Sequence, residues 1–331
     1  MNSITIALCT YNGARYLDEQ LLTLRAQEGV NEIVVVDDRS ADGTWSILER
    51  HAAADARIRL HRNPLPLGVT RNFERAIGLV RGEWVALADQ DDVWLPGKLA
   101  HLRAAWDGQA VLLHHATHKF HGAVPPALPS PAGERRKFSG GDLRRLLYRN
   151  SIVGHTVLVR TGVARQLMPF PPGVLHDWWI GVGAAVRGGV QYVDEYLVHY
   201  RIHAANAFHT AGSRWRRRRV ESAMRIALLQ ALQVRGGLPP EGREFSAKYL
   251  ALLQACPAGV FPWRLWHFYL GQARLFFGSA GFAPSKLTSF RKSCAAALGA
   301  MLWAPPAGSS ELHRPPLVSE PRGVHRLRRT G

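Results

Sequence analysis

The stretch that decides the fold is VALADQDDVW at residues 85–94, an apolar run that ends in three carboxylates at Asp89, Asp91 and Asp92. A short apolar run that stops at a cluster of Asp is typical of a buried strand followed by a loop. In an open α/β sheet, ligands bind in the crevice at the carboxyl ends of the strands. Carboxylates there suit Mg²⁺ or Mn²⁺, with a substrate phosphate supplying further ligands. An acidic turn without a ligand is the alternative interpretation.

The segments around this stretch alternate between strand and helix patterns. Apolar or β-branched runs predict strands at residues 4–8, 33–36, 58–60, 110–113, 156–159 and 190–198. Helical spacing predicts helices at residues 14–27, 42–54, 72–80 and 142–148. This alternation indicates a parallel, doubly wound α/β sheet. We therefore expect a nucleotide-binding half over residues 1–107 and an acceptor-binding half over 108–210, with the His-rich residues 114–121 in a loop and a strand edge.

The character of the chain changes after residue 210. Arg216–Arg219 forms a basic run, and aromatic residues alternate with Arg264 and Arg274, namely Trp263, Trp266, Phe268, Tyr269, Phe276 and Phe277. This pattern predicts a basic and aromatic helical region at 211–304 that contacts an anionic membrane surface, although ordinary helix packing would explain the same aromatics. Residues 305–331 contain little to bury and are predicted to form a disordered tail.

The amino-acid composition limits which binding partners and which cellular compartment we expect. Lys and Arg number 42 against 25 Asp and Glu, which gives a formal charge of +17 and an attraction to polyanions. We expect a sugar nucleotide and an anionic membrane rather than nucleic acid, because no nucleic-acid motif accompanies the charge. Three scattered cysteines indicate no disulfide or zinc framework. With no signal-peptide pattern and no apolar run able to span a bilayer, we expect a cytoplasmic protein, peripheral on the inner face of the membrane.

Four separated motifs occur in a fixed order: CTYNG at 9–13, VDDRSADGT at 36–44, ADQDDVW at 88–94 and HDWW at 176–179. Together they resemble the family 2 glycosyltransferases of GT-A fold, in particular the bacterial rhamnosyltransferase-like members. The resemblance implies a Rossmann-like, mostly parallel sheet flanked by helices, followed by a helical C-terminal region. It also implies an inverting, metal-assisted transfer of a sugar, such as rhamnose, from a dTDP- or UDP-linked donor to a surface polysaccharide or a lipid-linked glycan.

The resemblance implies a set of residues that bind the nucleotide sugar, namely Thr10, Tyr11, Asn12, Asp37, Arg71, Asp89 and Asp91. An aromatic ring at Tyr11 can stack on a nucleobase, and Asp37 is placed to accept the imide N–H of uracil or thymine. A turn-forming role is the alternative for Asp37. A solvated position at the start of a helix is the alternative for Arg71.

The resemblance also implies a metal site and a catalytic base. Asp91, Asp92 and His203 are the expected ligands of Mn²⁺ or Mg²⁺, which stabilises the charge on the departing diphosphate. The division of roles among Asp89, Asp91 and Asp92 stays open. Asp177 is the expected base, which takes the proton from the acceptor hydroxyl as it attacks the anomeric carbon.

The neighbours of Asp177 are expected to bind the acceptor. His176 stands where many family members have Glu, and Trp178 and Trp179 are expected to wall the acceptor site, although one of them can instead be core. A helix N-cap is the alternative role for Asp177.

Two other classes of function remain open on the sequence. A metal-dependent nucleotidyltransferase also needs carboxylates around a nucleoside phosphate, but it normally has a Gly-rich phosphate loop, and residues 10–15 contain one Gly. A non-catalytic protein that binds anionic surfaces on the same scaffold is the second alternative.

Overall fold

The computed structural model describes residues 1, 3–125, 128, 137–204, 206, 214–256, 260–277 and 284–301. Its strands are β1 Ile4–Thr10, β2 Val30–Asp37, β3 Ile58–Arg62, β4 Trp84–Ala88, β5 Val93–Trp94, β6 Leu112–Phe120, β7 Leu158–Arg160 and β8 Val190–Arg201. Its helices are α1 Ala14–Arg25, α2 Thr44–Ala54, α3 Val69–Leu79, α4 Lys98–Ala105, α5 Arg144–Tyr148, α6 Thr161–Gln166, α7 His176–Ala185, α8 Arg214–Arg235, α9 Pro240–Gln254, α10 Trp263–Gly271, α11 Ala273–Phe277 and α12 Lys286–Met301. A 3-10 turn at Gly154–Thr156 precedes β7.

The eight strands form one sheet in the order β3-β2-β1-β4-β7-β6-β8-β5. The first four sheet positions are occupied by parallel strands, in which β1 pairs with β2 and β4, and β2 pairs with β3. β1, β2 and β4 are near-continuous apolar runs, as expected of parallel strands that are covered on both faces, while β3 at the edge of the sheet carries Arg59, His61 and Arg62. Ala7 and Val34 face one core cluster, while Ile6 and Val35 face the other. The first half of the sheet therefore has the predicted parallel arrangement.

The second half of the sheet is mixed rather than parallel. β7 runs antiparallel to both β4 and β6, β6 runs parallel to β8, and β5 adds an antiparallel edge to β8. The sheet is continuous from the first half to the second, so β7 brings residues near 155 next to the end of β4. This insertion matters for the site.

The His-rich segment is a strand, so the prediction of a loop with a strand edge there is wrong. β6 extends from Leu112 to Phe120, and His114 and His115 are both fully buried in it. His114 Nε2 lies 2.7 Å from the carbonyl oxygen of Phe138, and His118 Nδ1 lies 2.9 Å from His199 Nδ1. Alternation did not reveal this strand because consecutive histidines are polar on both faces but are buried by neighbours distant in sequence.

Helices α8 to α12 pack on the sheet domain through a shared core. The cluster that contains Trp178 and Ile180 of α7 also contains Leu228 and Leu229 of α8 and Tyr249 of α9. Among the described residues, no helix is both long and apolar enough to cross a bilayer. The predicted tail at 305–331 lies outside the described residues.

Candidate active site

The candidate active site lies at the rim of the sheet where β1, β2 and β4 end. These strands are parallel, so their carboxyl ends deliver Thr10, Asp37 and Asp89 to the same edge. The predicted nucleotide-binding side chains therefore start from adjacent positions on the sheet.

Asp37 is fully buried and its carboxylate accepts several hydrogen bonds from its own surroundings. Thr10 Oγ1 donates to Asp37 Oδ1 at 3.0 Å, and the N–H of Ser40 donates to Oδ2 at 2.9 Å. Arg62 Nε lies 3.3 Å from the same Oδ2, and the Arg62 side chain is partly exposed. A nucleobase imide could reach Asp37 only by taking the place of a donor, and Arg62 is the one that reaches the surface.

The β1–α1 turn presents Tyr11 and is clamped by Gln90. The Tyr11 ring is 47% exposed, while its N–H donates to Gln90 Oε1 at 2.8 Å and its carbonyl accepts from Gln90 Nε2 at 3.0 Å. Gly13 is needed beside this clamp, because a Cβ there would lie 2.2 Å from Gln90 Oε1. Asn12 adopts a left-handed φ of 48° and its Oδ1 accepts the N–H of Ala41 at 2.8 Å. An exposed aromatic face is thus held on a fixed turn.

Asp38 and Arg71 form hydrogen bonds around the N-terminus of α3 rather than contacting Asp37. The carboxylate of Asp38 accepts the N–H groups of Leu67 at 2.7 Å and Gly68 at 2.8 Å. Arg71 is exposed and its Nη1 donates to Glu74 at 2.6 Å within the same helix. In this conformation Arg71 has the solvated helix-start arrangement, and its contact with the nucleotide stays a prediction.

Asp91 and His203 form one carboxylate–imidazole pair at the rim. Asp91 Oδ2 lies 2.8 Å from His203 Nε2 and accepts from Asn206 Nδ2 at 3.2 Å. The side chains of Asp91 and His203 keep some exposure to solvent. Two of the three predicted metal ligands are therefore in contact, although they are 112 positions apart in the chain.

Asp89, Asp92 and His155 form a second group whose ligand atoms lie within 4.8 Å of one another. His155 Nδ1 is 3.4 Å from Asp89 Oδ2 and 3.4 Å from Asp92 Oδ2, and its ring stacks on Tyr200 at 4.8 Å between centroids. Asp92 and His155 are buried. The predicted ligand Asp92 therefore belongs to a different group from Asp91 and His203, and His155 is a ligand candidate that the sequence analysis missed.

The residues at this rim fit a divalent cation. Asp92 Oδ2 and His155 Nδ1 are buried, and beyond the ion-pair contacts at 3.4 Å neither atom makes a well-aligned hydrogen bond within the described part of the chain. Burial and the charge of Asp89 raise the pKa of Asp91, and burial with the charges of Asp89 and Asp91 raises the pKa of Asp92 well above its ordinary value. Burial likewise holds the pKa of Lys98 well below its ordinary value. Concentrated carboxylates with unused lone pairs are the donor set that hard cations bind.

Asp177 lies in the first turn of α7, and three donors hold its carboxylate. Asn150 Nδ2 and the N–H of Trp178 donate to Oδ1 at 3.0 and 2.6 Å, and the N–H of Gly154 donates to Oδ2 at 3.0 Å. The N-cap of α7 is Leu175, so Asp177 does not occupy the capping position. Burial raises the pKa of Asp177 to about 7 despite these donors. A carboxylate with that pKa can accept a proton near neutral pH.

The predicted acceptor-binding residues are packed into the core in this structure, and their contact with an acceptor stays a prediction. Trp178 Nε1 donates to the carbonyl of Leu146 at 2.7 Å and Trp179 Nε1 to that of Leu167 at 2.9 Å, and both rings are buried. His176 is also buried and stacks on Phe73 at 4.1 Å between centroids. Burial lowers the pKa of His176 to about 4, so the imidazole is neutral. In this conformation the three side chains pack against the elements that surround α7.

One short turn connects the two parts of the site. Gly154 donates its N–H to Asp177, and the next residue, His155, lies beside Asp89 and Asp92. Consecutive Cα atoms are about 3.8 Å apart. The carboxylate with the raised pKa and the acidic rim are therefore joined by adjacent residues.

Comparison with known proteins agrees with this arrangement. Residues 5–166 match the family described as glycosyl transferase family 2. An uncharacterized protein of Mycobacterium tuberculosis is 29% identical over 221 residues, which are 63% of this chain and 61% of that protein. Escherichia coli WfaP, named UDP-Glc:alpha-D-GlcNAc-diphosphoundecaprenol beta-1,3-glucosyltransferase, is 24% identical over 211 residues, covering 62% and 80% of the two chains. The chain thus spans less than two thirds of the mycobacterial relative.

Solved structures share the architecture at low sequence identity. S. aureus TarS 1-349, in complex with UDP-GlcNAc, superposes with a TM-score of 0.53 at 16% identity, covering 89% of this chain and 91% of TarS. The mannosyltransferase PcManGT from Pyrobaculum calidifontis, in complex with GDP-Man and Mn²⁺, gives 0.56 at 18% identity, covering 91% and 87%. The predicted GT-A fold is confirmed.

The match to glycosyl transferase family 2 together with the GT-A fold identifies a glycosyltransferase domain. The matched residues, 5–166, include three of the four motifs that carried the resemblance to this family.

Proposed function

We propose that the protein is an inverting glycosyltransferase that transfers a sugar from a nucleoside diphosphate donor, dTDP- or UDP-linked, to a hydroxyl of a bacterial surface polysaccharide or a lipid-linked glycan. Rhamnose is the donor sugar that the motif resemblance suggests. The ligands named for TarS and PcManGT support a nucleotide-sugar donor, and the name of WfaP supports a lipid diphosphate acceptor. A lipid-linked acceptor favours a cytoplasmic enzyme at the inner face of the membrane.

The observation that carries this proposal is the Gly154–His155 connection. Sugar transfer needs a base on the acceptor side and a charge-stabilising group at the diphosphate, on opposite sides of one anomeric carbon. Here the candidate base Asp177 and the acidic rim are held by consecutive residues of one turn. An accidental acidic turn after β4 would not explain why the same turn also binds a buried carboxylate of raised pKa.

Asp177 supplies the base in the proposed reaction. Its carboxylate takes the proton of the acceptor hydroxyl while that oxygen forms a bond to the anomeric carbon. The bond from the anomeric carbon to the diphosphate oxygen breaks on the opposite face, so the configuration inverts. Asn150, Gly154 and Trp178 fix the carboxylate through their donated hydrogen bonds.

The rim carboxylates hold the donor. We assign a divalent cation, Mn²⁺ or Mg²⁺, to Asp91 and His203, whose side chains are in contact and keep part of their surface exposed. Asp92 and His155 are buried, and together with the partly exposed Asp89 they offer a second set of ligands. When bound, the cation stabilises negative charge on the leaving diphosphate.

The nucleotide part of the donor is assigned to the β1–α1 turn and its surroundings. The exposed Tyr11 ring stacks on the base in this proposal, with Thr10, Asn12 and Asp37 shaping the pocket floor. The base imide takes the place of Arg62 at Asp37. Arg71 has to release Glu74 to reach the nucleotide.

A donor panel tests the proposal directly. Purified protein is incubated with dTDP- and UDP-sugars, Mn²⁺ and a glycan acceptor, and the released nucleotide product is identified. Nucleoside diphosphate release that depends on acceptor supports transfer. Pyrophosphate release would instead assign the site to a nucleotidyltransferase, and saturable donor binding without turnover would assign it to a binding protein on the same scaffold.

A further inference from the structure

The C-terminal helices lie in a long part of the sequence without acidic residues. Residues 245–310 contain no Asp or Glu, while they contain six Lys or Arg. Both α10 and α12 lie within this region, so neither helix carries an acidic side chain. A surface built from these helices has a positive local field that no neighbouring residue on them neutralises.

Most aromatic residues of this region are packed into the protein. Tyr269 and Phe277 are buried, and Phe268 and Phe276 are partly buried against the core. Their role is therefore internal packing, which the sequence analysis had left open. Trp263 is different because 65% of its surface is exposed.

The exposed apolar residues of α10 and α12 lie on one continuous surface. Trp266 links the helices, since its ring is 5.6 Å from that of Trp263 and 5.7 Å from that of Phe290. Phe290 is 50% exposed, and Leu287, one turn earlier on α12, is 68% exposed. We call this surface the α10–α12 face and define it by Trp263, Arg264, Lys286, Leu287, Phe290 and Arg291.

Basic residues surround the apolar residues on this face. Arg264 directly follows Trp263 in the sequence. On α12, Lys286 lies four positions before Phe290 and Arg291 lies four positions after Leu287, so both basic residues share a side of the helix with an exposed apolar residue. All three side chains are exposed. A groove of about 650 Å³ with Lys248, Leu252 and Trp266 among its walls opens next to Trp263. Exposed Trp and Phe amid Lys and Arg is the pattern of a surface that enters the headgroup layer of an anionic bilayer.

We propose that the α10–α12 face docks on an anionic lipid bilayer, with Trp263, Leu287 and Phe290 at the boundary between headgroups and acyl chains and with Arg264, Lys286 and Arg291 on the lipid phosphates. Charge complementarity selects this occupant over a second copy of the chain, because two copies of an acid-free face repel each other. Docking there would hold the enzyme at the membrane without a spanning segment. The inference concerns a surface outside the active site and holds whichever donor the site uses.

Vesicle sedimentation with the full chain tests the docking. We expect the protein to sediment with phosphatidylcholine vesicles that contain phosphatidylglycerol, to remain in solution with pure phosphatidylcholine, and to be released by salt. Lys286→Gln/Arg291→Gln should weaken partitioning about 30-fold, which at about 1.4 kcal/mol per factor of ten equals about 1 kcal/mol for each basic residue. Trp263→Ala/Phe290→Ala should weaken it by a similar or larger factor.

Matched variants elsewhere on the surface separate the face from net charge and general hydrophobicity. Arg81→Gln/Arg103→Gln removes two exposed charges away from the face, and Leu22→Ala removes a side chain that is 55% exposed on α1. Both should partition like the wild type. Because all substituted side chains are exposed, thermal unfolding and the donor-induced thermal shift should be unchanged, which keeps this test independent of the proposed reaction.

Several results would overturn the docking proposal. These are no partitioning at low salt, equal losses in the matched variants, or a dimer that Trp263→Ala/Phe290→Ala converts to monomer. Retention by dextran sulfate without partitioning to vesicles would reassign the face to a soluble polyanion.

Discussion

Replacing Asp177 with Asn removes the proposed base while it preserves the shape of the side chain. The amide oxygen can still accept from Asn150 Nδ2 and from the N–H of Trp178, as Oδ1 does now. We expect kcat to fall by about 10²–10⁴, the usual contribution of a general base. The donor Kd should stay the same, because the base acts on the acceptor hydroxyl.

The raised pKa of Asp177 gives this substitution a second readout in the free energy of unfolding. Burial raises the pKa from 3.8 to about 7, so between these values the folded protein keeps a proton that the unfolded chain releases. Stability contributed by this group is therefore lost as pH rises through that window. The total loss is about 4 kcal/mol at about 1.4 kcal/mol per pKa unit, as an upper bound.

Asn does not ionise, so the variant escapes this loss but has a cost of its own. Its NH₂ group faces the N–H of Gly154, which now donates to Oδ2, and an unpaired buried donor costs about 1–3 kcal/mol. The variant should therefore be less stable than the wild type near about pH 4 and more stable near about pH 8. The difference in stability between the two proteins is expected to change sign.

Both readouts are accessible with purified protein. Nucleoside diphosphate release across the neutral pH range should give a wild-type kcat that rises with pH and levels off above about 7, and a low, flat profile for the variant. Urea unfolding at the two pH values measures the change of sign. Asp194→Asn, at an exposed position on β8, is the matched control and should behave like the wild type. A kcat within about tenfold of wild type, or a loss of donor affinity at full kcat, would refute the assignment.

Three further substitutions test other parts of the site. Gly13→Ala should lower stability by about 1–3 kcal/mol and weaken donor binding, because the added Cβ displaces Gln90 from Tyr11. Gly78→Ala is the control: its Cβ would point into open space on α3, so thermal unfolding should show a neutral or slightly stabilising effect. His203→Ala should weaken Mn²⁺ binding, measured by calorimetry, about 10- to 100-fold, and His155→Ala should weaken it less. The reverse order would assign the cation to the group of Asp89, Asp92 and His155. Trp178→Phe should cost about 1–3 kcal/mol of stability by leaving the Leu146 carbonyl unpaired, without raising the acceptor KM. Trp45→Phe, at a partly buried position on α2 where the ring N–H bonds the exposed Glu49, is its control. A raised KM in Trp178→Phe would support the acceptor-site role of Trp178.

Local pattern in the sequence was sufficient for the first half of the fold. Apolar runs that stop at Asp placed the ends of β2 and β4, and the spacing of helices between them required parallel strands. These features depend on residues within one or two elements, so a single sequence carries them. The order of four motifs predicted both a family and a fold: the GT-A fold is confirmed, and residues 5–166 match glycosyl transferase family 2.

The partners of the rim carboxylates could not be predicted in the same way. His155 precedes β7, a short antiparallel strand inserted next to β4, so it reaches Asp89 from 66 positions away. The sequence pattern around residue 155 gives no indication that this segment lies next to Asp89. Gln90 lies inside the acidic motif, but its clamp on Tyr11 depends on a turn 79 positions earlier. Asn150 likewise contacts Asp177 through the fold alone.

The fate of Trp178 and Trp179 shows a different limit. Two adjacent aromatics on a helix point about 100° apart, so only one faces the core of a half-buried helix. All ten residues of α7 are buried here, because α5, α6 and α8 enclose it. The sequence alone does not show how many elements pack around a helix. The prediction that Trp178 and Trp179 wall the acceptor site depended on how many elements cover α7.

The turn at Gly154–Thr156 connects the proposed base with the proposed cation ligands. Since Gly154 donates to Asp177 and His155 lies beside Asp89 and Asp92, a displacement of this turn would move both groups together. We therefore expect substitutions in the surrounding loops to disturb the spacing between these groups less than substitutions in the turn itself. Such a coupling would allow the substrate pockets to change in evolution while the distance between the proposed base and the cation ligands is kept.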